Sequence, residues 1–224
     1  MPYGDDYFTA RESWRDWRIE AQELLDGTRV RAGMRVLEIG CGGGGWLRLV
    51  SARGAYPVGV YTQQSALELA SAREPVAPPV CVIRVAAGAA LPFRPGVFDA
   101  LVAQHVLEHL PDARAALCEW QRVLRPGGRI ALATPNARYP DPSHYADGDH
   151  TRIFAMGELR ELISQAGFAV QTSTTIFAYF APFRLSTALG VIGYRIFRRI
   201  PYFAGRGRTI LISARKPETP AAGA

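Results

Sequence analysis

The chain has 224 residues, of which 48% are apolar and 21% charged, with a formal net charge of +6 and a mean hydropathy close to zero. That length corresponds to one large domain or two small ones, and the composition excludes global disorder. No run of about 18 uncharged apolar residues is present, so the sequence offers no spanning helix.

The N-terminus, Met1-Pro2-Tyr3-Gly4-Asp5-Asp6, is polar and acidic and does not read as a signal peptide. Cys41, Cys81 and Cys118 are widely spaced, which points to reduced thiols and a cytoplasmic setting. The charge is uneven. Residues 182–224 hold seven Arg and Lys216 against Glu218 alone, whereas the preceding residues are close to neutral. The excess basic charge therefore belongs to the C-terminal segment.

In chain order, Asp6 to Asp26 reads as one amphipathic helix covering the body, with Trp14, Trp17, Ala21, Leu24 and Leu25 at helical spacing and Gly27 as its stop. Arg35 to Ile39 reads as a strand, and Gly40-Cys41-Gly42-Gly43-Gly44-Gly45 as the glycine-rich turn into a helix. Further strands are expected at Pro57–Tyr61, Val80–Val85, Phe98–Ala103 and Arg129–Thr134. Helices are expected from about Gln64 to Ala72 and after Asp112, the latter with Asp112 as N-cap. A Pro/Asp/His-rich loop over 135–151 leads to a helix carrying Leu159, Leu162 and Ile163, and two last strands lie near Ala169–Tyr179 and Thr209–Ala214. Apolar strands alternating with helices predict an α/β fold with a mostly parallel sheet covered on both faces. Residues 1–216 read as a single domain and 217–224 as a disordered tail.

A strand, a glycine loop and a helix start form a ligand site in an open α/β sheet. Glu38, two residues before the first glycine, would repel a pyrophosphate and attract a ligand bearing ammonium and sulfonium charge. That favours S-adenosylmethionine over a dinucleotide, although a glycine-rich turn also serves close packing alone.

Val36-Leu37-Glu38-Ile39-Gly40-Cys41-Gly42 resembles the first motif of the class I S-adenosylmethionine-dependent methyltransferases. Leu91-Pro92-Phe93, Phe98-Asp99, the run His105 to Pro111 and the run Arg122 to Gly128 follow in that family's order. The resemblance implies a doubly wound, Rossmann-like seven-stranded sheet with the last strand antiparallel. It implies S-adenosylmethionine as cofactor and Glu38, Gly40, Cys41, Gly42, Tyr61, Thr62, Ala89 and Gln104 around it, Gln104 beneath the methyl. Two positions depart from the family pattern: Tyr61 stands where an acid usually holds the ribose, and Ala87 where an Asp often binds adenine. Thr62 and Gln63 offer neutral partners for the ribose. The implied activity is methyl transfer to O, N or C of a small-molecule acceptor, and the alternative is a non-catalytic module that keeps the fold.

All four histidines fall after the fourth and fifth strands. His105, and after it His150, are the candidates for a general base, because imidazole titrates near neutral pH. A structural role for Glu108 and His109 competes with that reading. A third reading rests on the resemblance, because some methyltransferases with a similar loop bind a divalent ion through an acid, a Glu-His pair and a later His; Glu108, His109 and His150 match that set, but His105 stands in place of the first acid, so no metal is assigned. Cys41 is not expected to act as a nucleophile.

Residues 181–208 form a basic and apolar insertion whose uncharged stretch, Leu185 to Tyr194, is too short to span a bilayer. It reads either as a core-packed helix or as a peripheral surface segment that meets anionic lipid or covers a lipid-linked acceptor. Nucleic acid is not expected as a partner. Oligomeric state is left open.

Overall fold

A computed structural model describes residues 5–13, 15–73, 76–85, 90–139, 150–178, 193, 196, 200, 202–203 and 205–218. The elements are α1 (Asp5–Ser13), α2 (Arg15–Thr28), β1 (Arg35–Ile39), α3 (Gly45–Ser51), β2 (Tyr56–Tyr61), α4 (Gln64–Ala72), β3 (Cys81–Arg84) and β4 (Phe98–Gln104). A 3-10 turn (Leu107–His109) then leads to α5 (Ala113–Val123), β5 (Leu124–Pro135), α6 (Met156–Gln165), β6 (Ala169–Ala178) and β7 (Gly207–Arg215).

The seven strands form one sheet in the order β3-β2-β1-β4-β5-β7-β6. β1 to β5 pair in parallel, and β7 runs antiparallel to both β5 and β6. This is the doubly wound, mostly parallel sheet with an antiparallel last strand that the sequence predicts. The order reverses between β1 and β4, so the crevice beyond their C-terminal ends is the expected ligand edge.

The strands alternate strictly between two cores. Leu37, Leu101, Ile130 and Leu132 face α5 and α6, which bring Leu117, Trp120, Leu159 and Ile163. Val36, Ala100, Val102, Ala131 and Ala133 face Ala21, Leu24 and Leu25 of α2 and Trp46 of α3. Small alanines on that second face let α2 approach closely, and Gly27 completes the fit. A Cβ on Gly27 would lie 3.2 Å from that of Ala131 and 3.3 Å from that of Ser213.

The N-terminal segment differs from the single helix expected. It is two helices, because α1 and α2 have different surfaces to cover: the glycine loop and the sheet. The Ser13 hydroxyl donates back to the Ala10 carbonyl at 2.5 Å, a local bond that competes with helix continuation. Nor does Gly27 end α2. The helix runs to Thr28, whose hydroxyl donates to the carbonyls of Leu24 and Leu25, and Arg29 takes the left-handed position at φ 54°. β5 begins before the strand expected at Arg129–Thr134, because it already pairs Leu124 with Phe98 ahead of a register shift. Asp112 caps α5 as expected, its carboxylate accepting from the Ala115 N–H at 2.9 Å.

Much of the 181–208 insertion, including Arg195, Arg198 and Arg199, and the tail from residue 219 lie outside the described residues. Among the described residues no helix is long and apolar enough to cross a membrane.

At the start of β7, a Cβ on Gly207 would strike the Ile176 carbonyl and lie 2.8 Å from the Ile176 nitrogen. Backbone on β6 cannot yield cheaply while it is paired. Gly207→Ala is therefore expected to destabilise the protein by about 2–3 kcal/mol, at the level of other overpacking changes. Urea unfolding of this variant checks the value.

Candidate active site

The turn after β1 is built around glycine. Gly40, Gly42 and Gly44 have φ of 77°, 47° and 79°, a region that side chains enter at a cost. The N–H groups of Gly40 and Cys41 donate to the Val60 carbonyl, and that of Gly44 to the Cys41 carbonyl, which fixes the loop against β2. Cys41 packs into a small core with Leu47 and Leu67, and burial pushes its thiol well up, with the Glu38 charge adding to the effect. A thiol held protonated is a poor nucleophile, in keeping with the sequence reading.

α1 lies over this loop. The Phe8 ring rests against Gly42, its Cβ lies beside Gly43, and the ring meets Tyr61 edge-on, with centroids 5.9 Å apart. Tyr7 packs edge-on behind it at 5.5 Å. Glu12 reaches Gly45 and pairs with Arg73 at 2.5 Å, tying α1 to the end of α4. One aromatic side chain of the N-terminal segment covers the glycine loop. Phe8 fills that place, Trp17 packs on the α2 face of the sheet, and Trp14 lies outside the described residues.

Two buried acceptors beside the loop have no hydrogen-bond partner among the described residues: Glu38 Oε2 and Gln63 Oε1. Glu38 is 4% exposed at the end of β1. Burial and the nearby charge of Glu12 push its carboxyl well above the usual range, against a smaller opposing effect of Arg11. Gln63 follows β2 immediately and stands at the N-cap of α4 without capping it. Unsatisfied buried acceptors cost free energy, so their placement at a ligand edge is informative. A ligand carrying an ammonium and ribose hydroxyls would bring the donors that these two atoms lack. Tyr61 is half-buried and Thr62 exposed at the tip of β2, whereas Ala87 and Ala89 lie outside the described residues.

At the tip of β4 the structure assembles a polar network that the sequence reading only partly foresees. Gln104 Nε2 donates to Glu20 Oε2 at 2.8 Å. His105 Nε2 lies 3.1 Å from both Glu20 oxygens, and its Nδ1 lies 3.2 Å from Glu108 Oε1. Thr134 donates its hydroxyl to Glu108 Oε2 at 3.0 Å. Burial disfavours the charged ring, but the Glu20 charge and the bonds to Glu108 and Glu20 outweigh it and lift His105 to about 9. Burial likewise opposes the charge on Glu20, yet the His105 imidazolium and the Gln104 amide hold it down at about 2. His105 is thus an imidazolium near neutral pH, with both ring nitrogens directed at carboxylates. A proton acceptor at neutral pH needs a free lone pair, so this differs from the character the sequence reading gave it. His105 also sits at φ 52°, a conformation uncommon for a residue with a Cβ and typical of functional sites.

His150 is half-buried, with its ring 4.6 Å from that of His109. Donor atoms of Glu108, His109 and His150 all lie within 4.8 Å of one another. The structure therefore brings together the three residues of the metal reading, while the fourth position, His105, is already held by carboxylates. Glu20 is the member of this network that the sequence reading missed. It occupies the buried stripe of α2, three residues after Trp17 and four before Leu24. A carboxylate at an inward-facing position was its available signal.

Residues 37–132 match the family model described as a methyltransferase domain. Over this region the chain is similar to the class I S-adenosylmethionine-dependent methyltransferases. It is similar to a protein of Mycolicibacterium smegmatis named a probable S-adenosylmethionine-dependent methyltransferase, 34% identical over 65% of this chain and 56% of that one. It is also similar to the ubiquinone biosynthesis O-methyltransferase of Chromobacterium violaceum, 28% identical over 67% of this chain and 71% of that one. Among solved structures, the [4+2]-cyclase SpnF has a TM-score of 0.70 at 22% identity, covering 91% of this chain and 82% of its own, and shares this fold. The chain spans about half the length of the first curated relatives it matches.

Proposed function

We propose that the protein transfers the methyl group of S-adenosylmethionine to a hydroxyl oxygen of a small-molecule acceptor. The observation that carries this reading is the orphaned carboxylate oxygen of Glu38 at the tip of β1, beside the glycine loop. A buried acid without a partner suits a cationic ligand. When bound, the cofactor supplies a methyl group already activated by a positively charged sulfur, so alignment of the acceptor provides most of the acceleration. Glu38, with Gly40 and Gly42, would hold the amino-acid end, Gln63 with Thr62 and Tyr61 the ribose end, and Gln104 the floor beneath the methyl. Relatives named O-methyltransferases favour oxygen over nitrogen or carbon as the acceptor atom. Exposed Ile196 and Tyr202 within the basic insertion support an acceptor with a lipid-like part, reached at an anionic membrane surface.

His105 and His150 are the residues assigned to the acceptor proton. If His105 takes it, only the small deprotonated fraction acts at neutral pH, and the rate rises about tenfold per pH unit until about 9. Loss of activity in His150→Ala with little change in His105→Ala assigns the proton to His150 instead. A second reading, a non-catalytic module, draws on Phe8 lying against Gly42 and Tyr61. The test is calorimetric titration with S-adenosylmethionine and S-adenosylhomocysteine, followed by transfer of labelled methyl to a panel of phenols and alcohols. Binding of both ligands is expected. The absence of heat at millimolar ligand would leave the second reading.

A further inference from the structure

The edge of the sheet opposite the glycine loop gathers arginines. Gly27 rests on Ala131 and Ser213, which are partners in the β5–β7 ladder. Arg129 and Arg215 are partners two residues away, so the pleat places them on the same face, the one that α2 covers. α2 ends at Thr28, and Arg29 and Arg31 follow at this corner. Like charges directly across an antiparallel pair destabilise a sheet. Glu218 pairs with Arg215, and Asp99 with Arg125. Among the described residues no carboxylate pairs with Arg29, Arg31 or Arg129.

Arg129 is half-buried, and its charged form is disfavoured by burial and then by the charges of Arg29, Arg215 and Arg31. The C-terminal dipole of α2 offers only about half an elementary negative charge, too little to balance this group. We propose that this corner is a binding site for a phosphate-type oxyanion, presented by a soluble phosphorylated compound or by a lipid headgroup. Planar guanidinium groups match tetrahedral oxyanions through paired N–H donors, and several of them together favour a multiply charged ligand over a single carboxylate. The corner lies across the sheet from the tips of β1 and β4, so the inference is independent of the proposed methyl transfer.

The test is thermal unfolding of the full chain in pyrophosphate against chloride of equal ionic strength, for the wild type and Arg129→Gln. Pyrophosphate is expected to raise the wild-type melting temperature by roughly 2–4 °C beyond the chloride control, the scale of a ligand at several times its dissociation constant. Arg129→Gln should lose that response and melt no lower than the wild type in phosphate-free buffer. Arg31→Gln, at an exposed position, should also lose the response, and it serves if Arg129→Gln does not fold. An equal shift in chloride, or a full pyrophosphate response in the variants, would overturn the proposal. Co-sedimentation with phosphatidylglycerol and phosphatidylcholine vesicles separates the two sources. Binding to the anionic vesicles that pyrophosphate competes away, and that Arg129→Gln weakens, assigns a lipid headgroup. A pyrophosphate response without such binding assigns a soluble compound.

Discussion

Glu38→Gln is expected to weaken S-adenosylmethionine binding by about 10- to 150-fold, the loss of one charge-assisted contact of about 1.5–3 kcal/mol. The same change should stabilise the ligand-free protein near neutral pH. The Glu38 carboxyl is raised by burial and by Glu12, so its ionisation opposes folding. Stability from a group raised in this way is full below its unfolded pKa and erodes as pH climbs toward the folded one. The variant should therefore match the wild type near pH 4 and gain on it by about 1–3 kcal/mol near pH 7. A cationic ligand draws the proton off Glu38, so calorimetry in buffers of different ionisation enthalpy should show proton release with the wild type and none with Glu38→Gln. Unchanged affinity in the variant would make Glu38 a buried structural acid with no part in binding.

Glu20→Gln is expected to cost about 2–4 kcal/mol, because the buried His105 imidazolium loses one of its two carboxylates and keeps only Glu108. In a chain of this size that lowers the melting temperature by on the order of 10 °C. The pH dependence has two limbs. His105 is raised from 6.5 to about 9, so its contribution is full below about pH 6.5, erodes above it and is gone beyond about 9. Glu20 is lowered from 4.5 to about 2, so its contribution is full above about pH 4.5 and disappears as pH falls toward 2. The two limbs belong to one coupled unit, and their free energies do not add. The network is therefore fully stabilising between about pH 4.5 and 6.5. NMR titration of His105 should show its pKa fall by more than one unit in Glu20→Gln. An unchanged His105 titration would remove Glu20 from the role assigned to it.

This network shows where the sequence stopped being informative. His105, Gln104 and Glu108 stood out as polar residues after an apolar strand, where the fold gathers its ligands. Glu20, 85 residues away from His105, became their partner only when α2 lay across the sheet. The pKa of His105 depends on that approach, and no local pattern carries it. Phe8 is similar: its place over Gly42 depends on where α1 docks.

The strands, the glycine loop, the α5 cap and the sheet class were legible in the residues themselves. Short continuous apolar runs, left-handed glycine positions and an Asp before a helix are imposed by short-range sterics and hydrogen bonding, which act within a few residues. The tertiary structure alone decided that the N-terminal segment is two helices serving two surfaces and that Gly27 provides close approach instead of a stop. It also decided that His105 is held as an imidazolium and that Arg129 faces Arg215. Each of these depends on groups brought within a few ångströms from distant parts of the chain. Desolvation and Coulomb interaction take their size from that proximity and from burial, neither of which is written in sequence order.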